Sequence, residues 1–184
     1  MQTRLRGLIL AALFAAITAV LAQVTIPLPL VPITGQTLAV GLAATILGSR
    51  LGTLSMVLYA LLGAIGIPVY SEASGGFQVI LGPTGGYIIG FIVTAYVIGL
   101  IIEKTSFTFT NAMIANVVGM VVTLAIGVVQ LKFVAGLAWG AALAGGVYPF
   151  IIGGIIKAAI AAYLGIIVRK RLAQAKLLPV TVQS

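Results

Sequence analysis

Long apolar segments fill most of this 184-residue chain and are separated by short stretches rich in glycine and proline. A helix needs about 20 mostly apolar residues to cross a bilayer, and several segments approach or reach that length. Charged residues make up only 7% of the chain, whereas about a quarter is usual in a soluble domain. The sequence therefore predicts a single integral membrane domain over residues 1–184.

Glycine, proline and charged residues bound six apolar segments, which predict an all-α protein with six transmembrane helices. The apolar run after Arg6 lacks a small-residue cleavage site before a soluble chain, so we interpret it as a retained first helix rather than a signal peptide. The stretch GLAWGAALAGG before the last helix is interpreted as a break. The expected helices cover about residues 5–24, 36–47, 51–65, 85–102, 111–133 and 148–168.

The basic residues predict the orientation of these helices. Six crossings place both termini on one side, and eight of the ten lysines and arginines fall on that same side. Because positive charges collect on the cytoplasmic side of a membrane, both termini are predicted to be cytoplasmic and the proline- and glycine-rich loops to face outward. The net charge of +8 then reflects topology rather than nucleic-acid binding. The eight residues are Arg4, Arg6, Arg50, Lys104, Arg169, Lys170, Arg171 and Lys176.

Few side chains are available for catalysis. Cysteine and histidine are absent, and Glu72 and Glu103 are the only carboxylate side chains in the sequence. This composition excludes disulfides and thiolate or imidazole metal sites and disfavours paired-acid catalysis, so no metal or resident cofactor is expected. No glycine run leads into the Gly-Lys-Ser/Thr sequence of a phosphate-binding loop, so the chain itself is not expected to hydrolyse ATP. Binding or transport is favoured over catalysis.

Two features are candidate binding elements. Residues 67–87 contain seven glycines and prolines, which interrupt a helix and let backbone groups approach a small ligand closely. Tyr87 and other aromatic residues of this stretch can supply apolar walls. Lys157 lies near the middle of the last apolar run, where an ammonium group costs roughly 2.5–3.5 kcal/mol on the lenient insertion scale. Its partner is either Glu72 or the carboxylate of a ligand.

The first and fifth helices each carry a distinctive face. Polar and small residues at heptad-like spacing share one face of the fifth helix, where they serve either as contacts between helices or as part of an outward cavity. They are Asn116, Gly119, Thr123, Gly127 and Gln130, with Gln130 nearest the outer end. Small residues recur along the first helix and allow close approach, either within the bundle or to a partner helix. They are Ala11, Ala15 and Ala19, with Ala12 and Ala16 beside them.

Four motifs resemble those of the BioY family, the biotin-binding S components of energy-coupling-factor (ECF) vitamin transporters. They are IPLPLVPITGQTLAV at 26–40, LLGAIGIPVY at 61–70, SGGFQVILGPTGGY at 74–87 and PFIIGGIIKAAIAA at 149–162. The resemblance covers nearly the whole chain. It implies an S-component-like bundle with outer substrate-covering loops, which binds biotin from the outer side of a bacterial or archaeal cell membrane. It also implies a transmembrane T subunit, docked on the alanine face of the first helix, and two cytoplasmic ATPases that use ATP.

The resemblance extends unevenly to individual residues. Lys157 matches the lysine of the last helix and is expected to pair with the valerate carboxylate of biotin. The SGG sequence matches Ser74, Gly75 and Gly76, whose backbone groups are expected to serve the ureido ring. Many relatives carry an aspartate where this chain has Gly154, so another polar residue is needed in its place. Candidates for that role, unranked, are Gln36, Gln78, Gln130 and Glu72, and Tyr87 is a candidate wall of the site.

The residues leave three other functions open. One is an S component for a different carboxylated vitamin. Another is a membrane enzyme, for which Ser71 or Ser74 with Lys157 is the conceivable catalytic pair. The third is a structural membrane protein that binds no small ligand.

Overall fold

The computed structural model describes residues 2–175 and 177–178, so Lys176, one of the residues in the charge count, lies outside the described part. Within that part the chain is almost entirely helical, and the predicted all-α membrane fold is confirmed. The two short strands pair antiparallel. The elements are α1 Gln2–Ala22, β1 Thr25–Ile26, β2 Ile33–Thr34, α2 Gln36–Ala64, a 3-10 turn Ser71–Ala73, α3 Phe77–Leu81, α4 Gly85–Lys104, α5 Phe109–Val134, α6 Trp139–Gly146 and α7 Tyr148–Gln174.

α2 is a helical hairpin rather than one straight helix. Gly48 interrupts it with φ 78° and ψ −173°, and a Cβ added to Gly52 would lie 3.0 Å from the Cα of Ala44. Residues eight apart in a straight helix are separated by about 12 Å. The chain therefore reverses at Gly48 into two arms, 36–47 and 49–64. Five helices of the described part are long and apolar enough to cross a membrane, and the hairpin counts as one of them.

A carboxylate from another helix caps the second arm of α2. Glu103, near the end of α4, accepts hydrogen bonds from the backbone N–H of Ser49 at 2.7 Å and from its hydroxyl at 2.8 Å. An N–H at the start of a helix has no partner within that helix, and a negative charge is favourable there. The sharp turn at Gly48 and the position of Glu103 therefore stabilise one another.

α7 continues beyond the expected end of the last helix and carries Arg169 into the bundle. The Arg169 side chain is 8% exposed, donates to the carbonyl oxygen of Thr45 at 3.3 Å and lies 4.8 Å from the centre of the Phe107 ring. From the sequence alone Arg169 belongs to a basic tail, because its contacts with Thr45 and Phe107 depend on how the helices pack. It is instead a packing residue at the predicted cytoplasmic end.

Glycines bring the helices close together. α4 packs against α2 and α5, and α7 packs against the same two helices. A side chain at Gly99 would run into the backbone of Ser49, and one at Gly119 would meet Ile98 across the α4–α5 contact. Small residues at such contacts let helices approach closely in lipid. Large apolar side chains such as Ile152, which is 75% exposed, lie on the outward faces.

The stretch expected to be a break before the last helix contains α6. Alanine or leucine occupies four consecutive positions of its eight residues, 141–144, and both residue types favour helix. A helix this short is not stable alone, and its packing against α5 and α7 supports it. Residues 67–84, by contrast, form no continuous helix and contain only the 3-10 turn and α3. We call the end of the bundle formed by this loop, the β1–β2 ribbon and α6 the outer end, since the charge bias predicts that it faces outward.

The alanines of the first helix lie on two different faces, one buried and one exposed. Ala11 and Ala15 are 0% and 2% exposed and pack inside the bundle, and Ala19 is half-buried. Ala12 and Ala16 are exposed. One residue corresponds to a rotation of about 100° around a helix, so the two alanine rows cannot share a face. The expectation that all five form one partner surface is therefore corrected, because Ala11 and Ala15 serve the packing of this chain.

Candidate functional site

An elongated cavity lies between α2, α4, α5 and α7 and opens at the outer end. The space between its lining atoms, open solvent at the mouth included, is about 900 Å³. Val31 and Ser71 line the mouth, and the lining along α4 runs from Thr84 to Ile98. Fourteen helical residues rise roughly 20 Å, so the cavity extends from the outer loops deep into the bundle.

Lys157 supplies the positive charge of this cavity. Its Nζ donates to the backbone oxygen of Thr34 at 2.6 Å and to Oγ1 of Thr37 at 3.2 Å. Thr34 ends the β1–β2 ribbon and Thr37 lies in the first turn of α2, so the ammonium group is directed toward the outer end. Both partners are neutral. Their dipoles solvate the ammonium group but leave its charge uncompensated.

Neither described carboxylate pairs with Lys157. Glu103 bonds Ser49 at the other end of the bundle, and the Glu72 side chain is exposed. Glu72 lies in the 3-10 turn with φ 58° and is not among the residues that line the cavity. Glu72 therefore does not neutralise Lys157 in this structure. Of the two partners that the sequence analysis left open, the carboxylate of a ligand remains.

Gly154 lies in the cavity wall next to Met120. A Cβ added to Gly154 would run into the thioether sulfur of Met120, and both residues line the cavity. The space that a larger residue at position 154 would fill is thus occupied from α5 by an apolar side chain. Of the glutamines offered as a substitute for the aspartate, only Gln36 lines the cavity, and its amide is bonded to Thr34 and Tyr59.

Uncharged polar side chains line the inner half of the cavity. Thr94 on α4 and Thr123 on α5 are each 3% exposed, and Asn116 on α5 is 4% exposed. Oγ1 of Thr94 lies 2.7 Å from Oγ1 of Thr123 and donates to the backbone oxygen of Gly119 at 3.0 Å. The polar face predicted for the fifth helix is therefore inside the bundle, and two of its members reach the cavity.

Gln36 and Tyr87 line the cavity, but the fold already uses their polar groups. The amide nitrogen of Gln36 donates to the hydroxyl of Tyr59, and its amide oxygen accepts from Oγ1 of Thr34 at 2.7 Å. Tyr87 donates its hydroxyl to the backbone oxygen of Gly146 at 2.8 Å, which leaves its ring in the wall. Gln36 therefore shapes the mouth beside Lys157, and Tyr87 is an apolar wall.

The other predicted site residues lie outside the lining, each for a visible reason. The Ser74 hydroxyl donates to the Ser71 backbone at 2.7 Å. Gly76 donates its N–H to Gly63 at 2.6 Å, and Gly75 packs against the backbone of Ile67. These glycines therefore allow close packing of the loop on α2. The expectation that their backbone groups serve a ligand is not supported by their positions.

Two glutamines also serve the loop rather than the cavity. The amide of Gln130 donates to the backbone oxygens of Ile80 and Gly82 at 2.7 and 2.8 Å, which fastens the loop to α5. Gln78 is exposed and donates to Gly75 at 2.9 Å. The expectation that Gln130 faces the cavity is therefore not met, because its donor hydrogens are committed to the loop.

Several lining residues carry no strong signal in the sequence. Thr94 is a single threonine in an apolar run, and Met120 and Phe150 resemble ordinary core residues. Threonine at such positions commonly bonds its own helix, as Thr18 does to Phe14 at 2.7 Å. The available signal is the position of Thr34 and Thr37 in the ITGQT motif, which adjoins a proline-rich turn.

The model of the BioY family matches residues 1–174 of the chain. This chain belongs to the BioY family. Among its relatives, Biotin transporter BioY2 of Lactococcus lactis subsp. cremoris is 42% identical over 165 residues, which are 90% of this chain and 91% of the relative. Biotin transporter BioY of Thermotoga maritima is 41% identical over 166 residues, covering 90% and 97%.

A solved structure extends the similarity to three dimensions. The crystal structure of the S-component for biotin from an ECF-type ABC transporter superposes with a TM-score of 0.83 at 28% identity, covering 92% of this chain and 93% of that chain. The relatives are transporters rather than enzymes. The proposed serine–lysine pair is also not formed, since Lys157 donates to Thr34 and Thr37. The chain is a multi-pass membrane protein of a transporter family.

Proposed function

We propose that this chain is the substrate-binding subunit of a biotin uptake transporter, which captures biotin at the outer face and delivers it inward. The observation that carries the proposal is the ammonium group of Lys157, held by two neutral oxygens in a cavity that opens at the outer end. The similarity to named biotin transporters supplies the identity of the ligand.

The charge of Lys157 favours an anionic ligand. An uncompensated ammonium inside a membrane helix is costly, and an anionic ligand relieves that cost on binding. A hydrogen bond between an ammonium and a carboxylate is charge-assisted and is about twice as strong as one between neutral groups. The carboxylate of biotin would take that role. The apolar walls, among them Ile88, Phe91 and Phe150, would bury the carbon skeleton.

Calorimetry of the purified protein tests this proposal directly. We expect biotin and desthiobiotin to bind at micromolar concentrations or below, and biotin methyl ester, which lacks the charge, to bind much more weakly. Lys157→Met should lower biotin affinity by about 10- to 100-fold, because bonds to charged groups contribute roughly 1.5–3 kcal/mol. The variant should remain folded, since methionine fills similar space without the cost of a charge.

Two results would count against the proposal. Absence of heat with both biotin and desthiobiotin would remove biotin as the ligand, and unchanged affinity in Lys157→Met would remove the assignment of the site. The family resemblance implies an aspartate in many relatives at the position of Gly154, which keeps a different carboxylated vitamin as the second candidate. Competition of such vitamins against bound biotin separates the two, because the true substrate displaces biotin at the lower concentration.

We further propose that the chain works with an ECF module, composed of a transmembrane T subunit and two cytoplasmic ATPases that consume ATP. The exposed row of α1, with Ala12 and Ala16 among larger apolar residues, is the surface that we assign to the T subunit. Small side chains there would allow close helix contact. The similarity to the S-component of an ECF-type ABC transporter supports this assignment.

Uptake and binding should respond differently to a bulky residue on that row. Ala16→Trp is expected to reduce biotin uptake in cells that carry the module, while the purified variant binds biotin normally. The matched control is Ala125→Trp, which changes an equally exposed alanine on α5. Equal uptake by Ala16→Trp and the control would argue against a docking role for this row.

A further inference from the structure

The outer end of α5 carries a lysine beside two exposed aromatic rings. Nζ of Lys132 lies 4.5 Å from the centre of the Phe133 ring and 5.1 Å from the centre of the Trp139 ring. The turn after α5 produces this arrangement, since Gly136 adopts φ 64° and the N–H of Leu137 bonds the backbone oxygen of Lys132 at 3.0 Å. A left-handed glycine with such a bond is a common end of a helix. Here it brings Trp139, the first residue of α6, next to Lys132.

The ammonium group of Lys132 has no anionic partner in the described part of the chain. Glu103 is bonded at the opposite end of the bundle, and Glu72 forms no salt bridge with any described residue. An ammonium group carries three N–H donors, and those of Lys132 meet ring faces, which attract a cation but do not neutralise it. Lys157 is inside the cavity. Lys132 is therefore the basic residue that the predicted topology leaves on the outer surface.

The length of α5 places Lys132 at the level of the lipid headgroups. Lys132 lies 23 residues beyond Phe109, where α5 begins on the predicted cytoplasmic side, and this separation corresponds to a rise of roughly 35 Å. The hydrocarbon core of a bilayer is about 30 Å thick, so the ammonium group lies at or beyond its outer edge. Phe133 is 69% exposed and Trp139 is 50% exposed. Tryptophan is enriched at this level of membrane proteins.

We propose that Lys132, Phe133 and Trp139 form a surface site for an anionic phospholipid of the outer leaflet. The N–H donors of Lys132 bond the phosphate oxygens through charge-assisted hydrogen bonds. The two rings lie against the glycerol and the first acyl carbons, and the exposed Val129, one turn before Phe133, extends this apolar surface along α5. A water-soluble anion would leave the rings uncovered. Phosphatidylcholine fits less well, because it carries its own cation beside the phosphate, which Lys132 repels.

This surface is separate from the cavity but is joined to the cavity wall by α6. Lys132, Phe133 and Trp139 do not line the cavity. At the other end of α6, the backbone oxygen of Gly146 accepts a hydrogen bond from Tyr87, which does line it. A lipid bound at Trp139 therefore contacts the helix that supports one side of the cavity. The inference goes beyond the proposed function and holds whichever ligand the cavity takes.

Trp139 is the only tryptophan in the sequence, so its fluorescence reports on this surface alone. The full-length protein is reconstituted into vesicles of equal parts phosphatidylcholine and phosphatidylglycerol. In parallel samples one of the two lipids carries brominated acyl chains, which quench a tryptophan that they contact. Brominated phosphatidylglycerol should quench Trp139 as if enriched about fivefold over brominated phosphatidylcholine, the preference that one basic residue provides near an anionic surface.

Variants of Lys132 test the origin of this enrichment. Lys132→Gln removes the charge and should make the two brominated lipids quench equally, whereas Lys132→Arg keeps the charge and should keep the enrichment. The matched control is Lys104→Gln, which removes the same charge from the exposed end of α4 and should behave like the wild type. Each variant is compared with itself in vesicles without bromine, so that a change in its intrinsic emission cancels.

Four results would overturn the inference. Equal quenching by the two brominated lipids in the wild type would show no selection for the anionic lipid, and unchanged enrichment in Lys132→Gln would remove Lys132 from the site. Quenching by neither lipid would show that a protein surface covers Trp139. Loss of the enrichment with inorganic phosphate, but not with sodium chloride at the same ionic strength, would assign the site to a soluble anion. None of these results affects the proposed function, because biotin binding is measured separately in detergent.

Discussion

Gly154 and Met120 form a close contact in the wall of the cavity. A Cβ at position 154 would run into the Met120 sulfur, whereas a Cβ at the neighbouring Gly153 would meet nothing within 4 Å. We therefore expect Gly154→Ala to destabilise the protein by up to about 1–3 kcal/mol, the usual range for overpacking. The methionine side chain is flexible, so the lower part of the range is expected.

The matched variant Gly153→Ala should be neutral or stabilising, since alanine favours helix by about 1 kcal/mol over glycine. Thermal unfolding of the two variants in the same detergent measures the difference. Met120→Ala should restore the stability of Gly154→Ala, because it removes the side chain that is struck. Equal midpoints for Gly153→Ala and Gly154→Ala would show that Met120 does not fill this space in the membrane protein.

At this scale the sequence identifies charge better than it identifies neutral polar partners. Lys157 can be found because an ammonium within an apolar helix has few explanations. Thr34 and Thr37 cannot, because their role depends on how the β1–β2 ribbon approaches α7. Gln130 is misleading for the same reason: its spacing predicts an inward direction, but loop carbonyls that the sequence does not position take its hydrogens.

At the scale of elements, α2 depends on one glycine. Gly48 has φ 78°, and a side chain there would meet the carboxylate of Glu103. With ψ −173°, this conformation is essentially restricted to glycine and costs another residue on the order of 1–3 kcal/mol, so Gly48→Ala should lower the free energy of unfolding by at least about 1 kcal/mol. Gly140→Ala is the control, since Gly140 lies in α6 with open space around it. A loss in Gly140→Ala equal to that in Gly48→Ala would contradict the assignment of strain to the hairpin.

The sequence predicts the position of this turn but not the contact with Glu103 that stabilises it. Glycine followed by serine and arginine predicts the end of one helix and the beginning of another, which the structure contains at Gly48. The carboxylate that caps Ser49 comes from a residue 54 positions further along the chain. Pairing over such a distance requires the packed bundle. The same is true of α6, whose short length and glycines give a weak helical signal.

At the scale of the whole molecule, the two ends of the bundle are fastened differently. At one end the exposed Glu103 of α4 and the buried Arg169 of α7 both bind α2. At the outer end, Gln23 holds the loop from α1, through bonds with Tyr70 at 3.0 Å and Ala73 at 2.9 Å, and Gln130 holds it from α5. Burial raises the pKa of Tyr70 to about 12, so its hydroxyl stays protonated and bonded to Ala60 at physiological pH. The loop therefore depends on a few side-chain hydrogen bonds, which suits an end that must admit a ligand.

Orientation in the membrane can be measured because the chain contains no cysteine, so each introduced thiol is unique. Glu72 in the outer loop and Arg50 beside the hairpin turn are both exposed. Charge bias predicts that a membrane-impermeant maleimide labels Glu72→Cys in intact cells, and labels Arg50→Cys only after permeabilisation. Ser71→Cys, at the mouth of the cavity, should be labelled more slowly when biotin is bound, because the ligand lies beneath the loop. Labelling of Arg50→Cys in intact cells would contradict the predicted orientation. The Lys157 cavity would then face the cytoplasmic side.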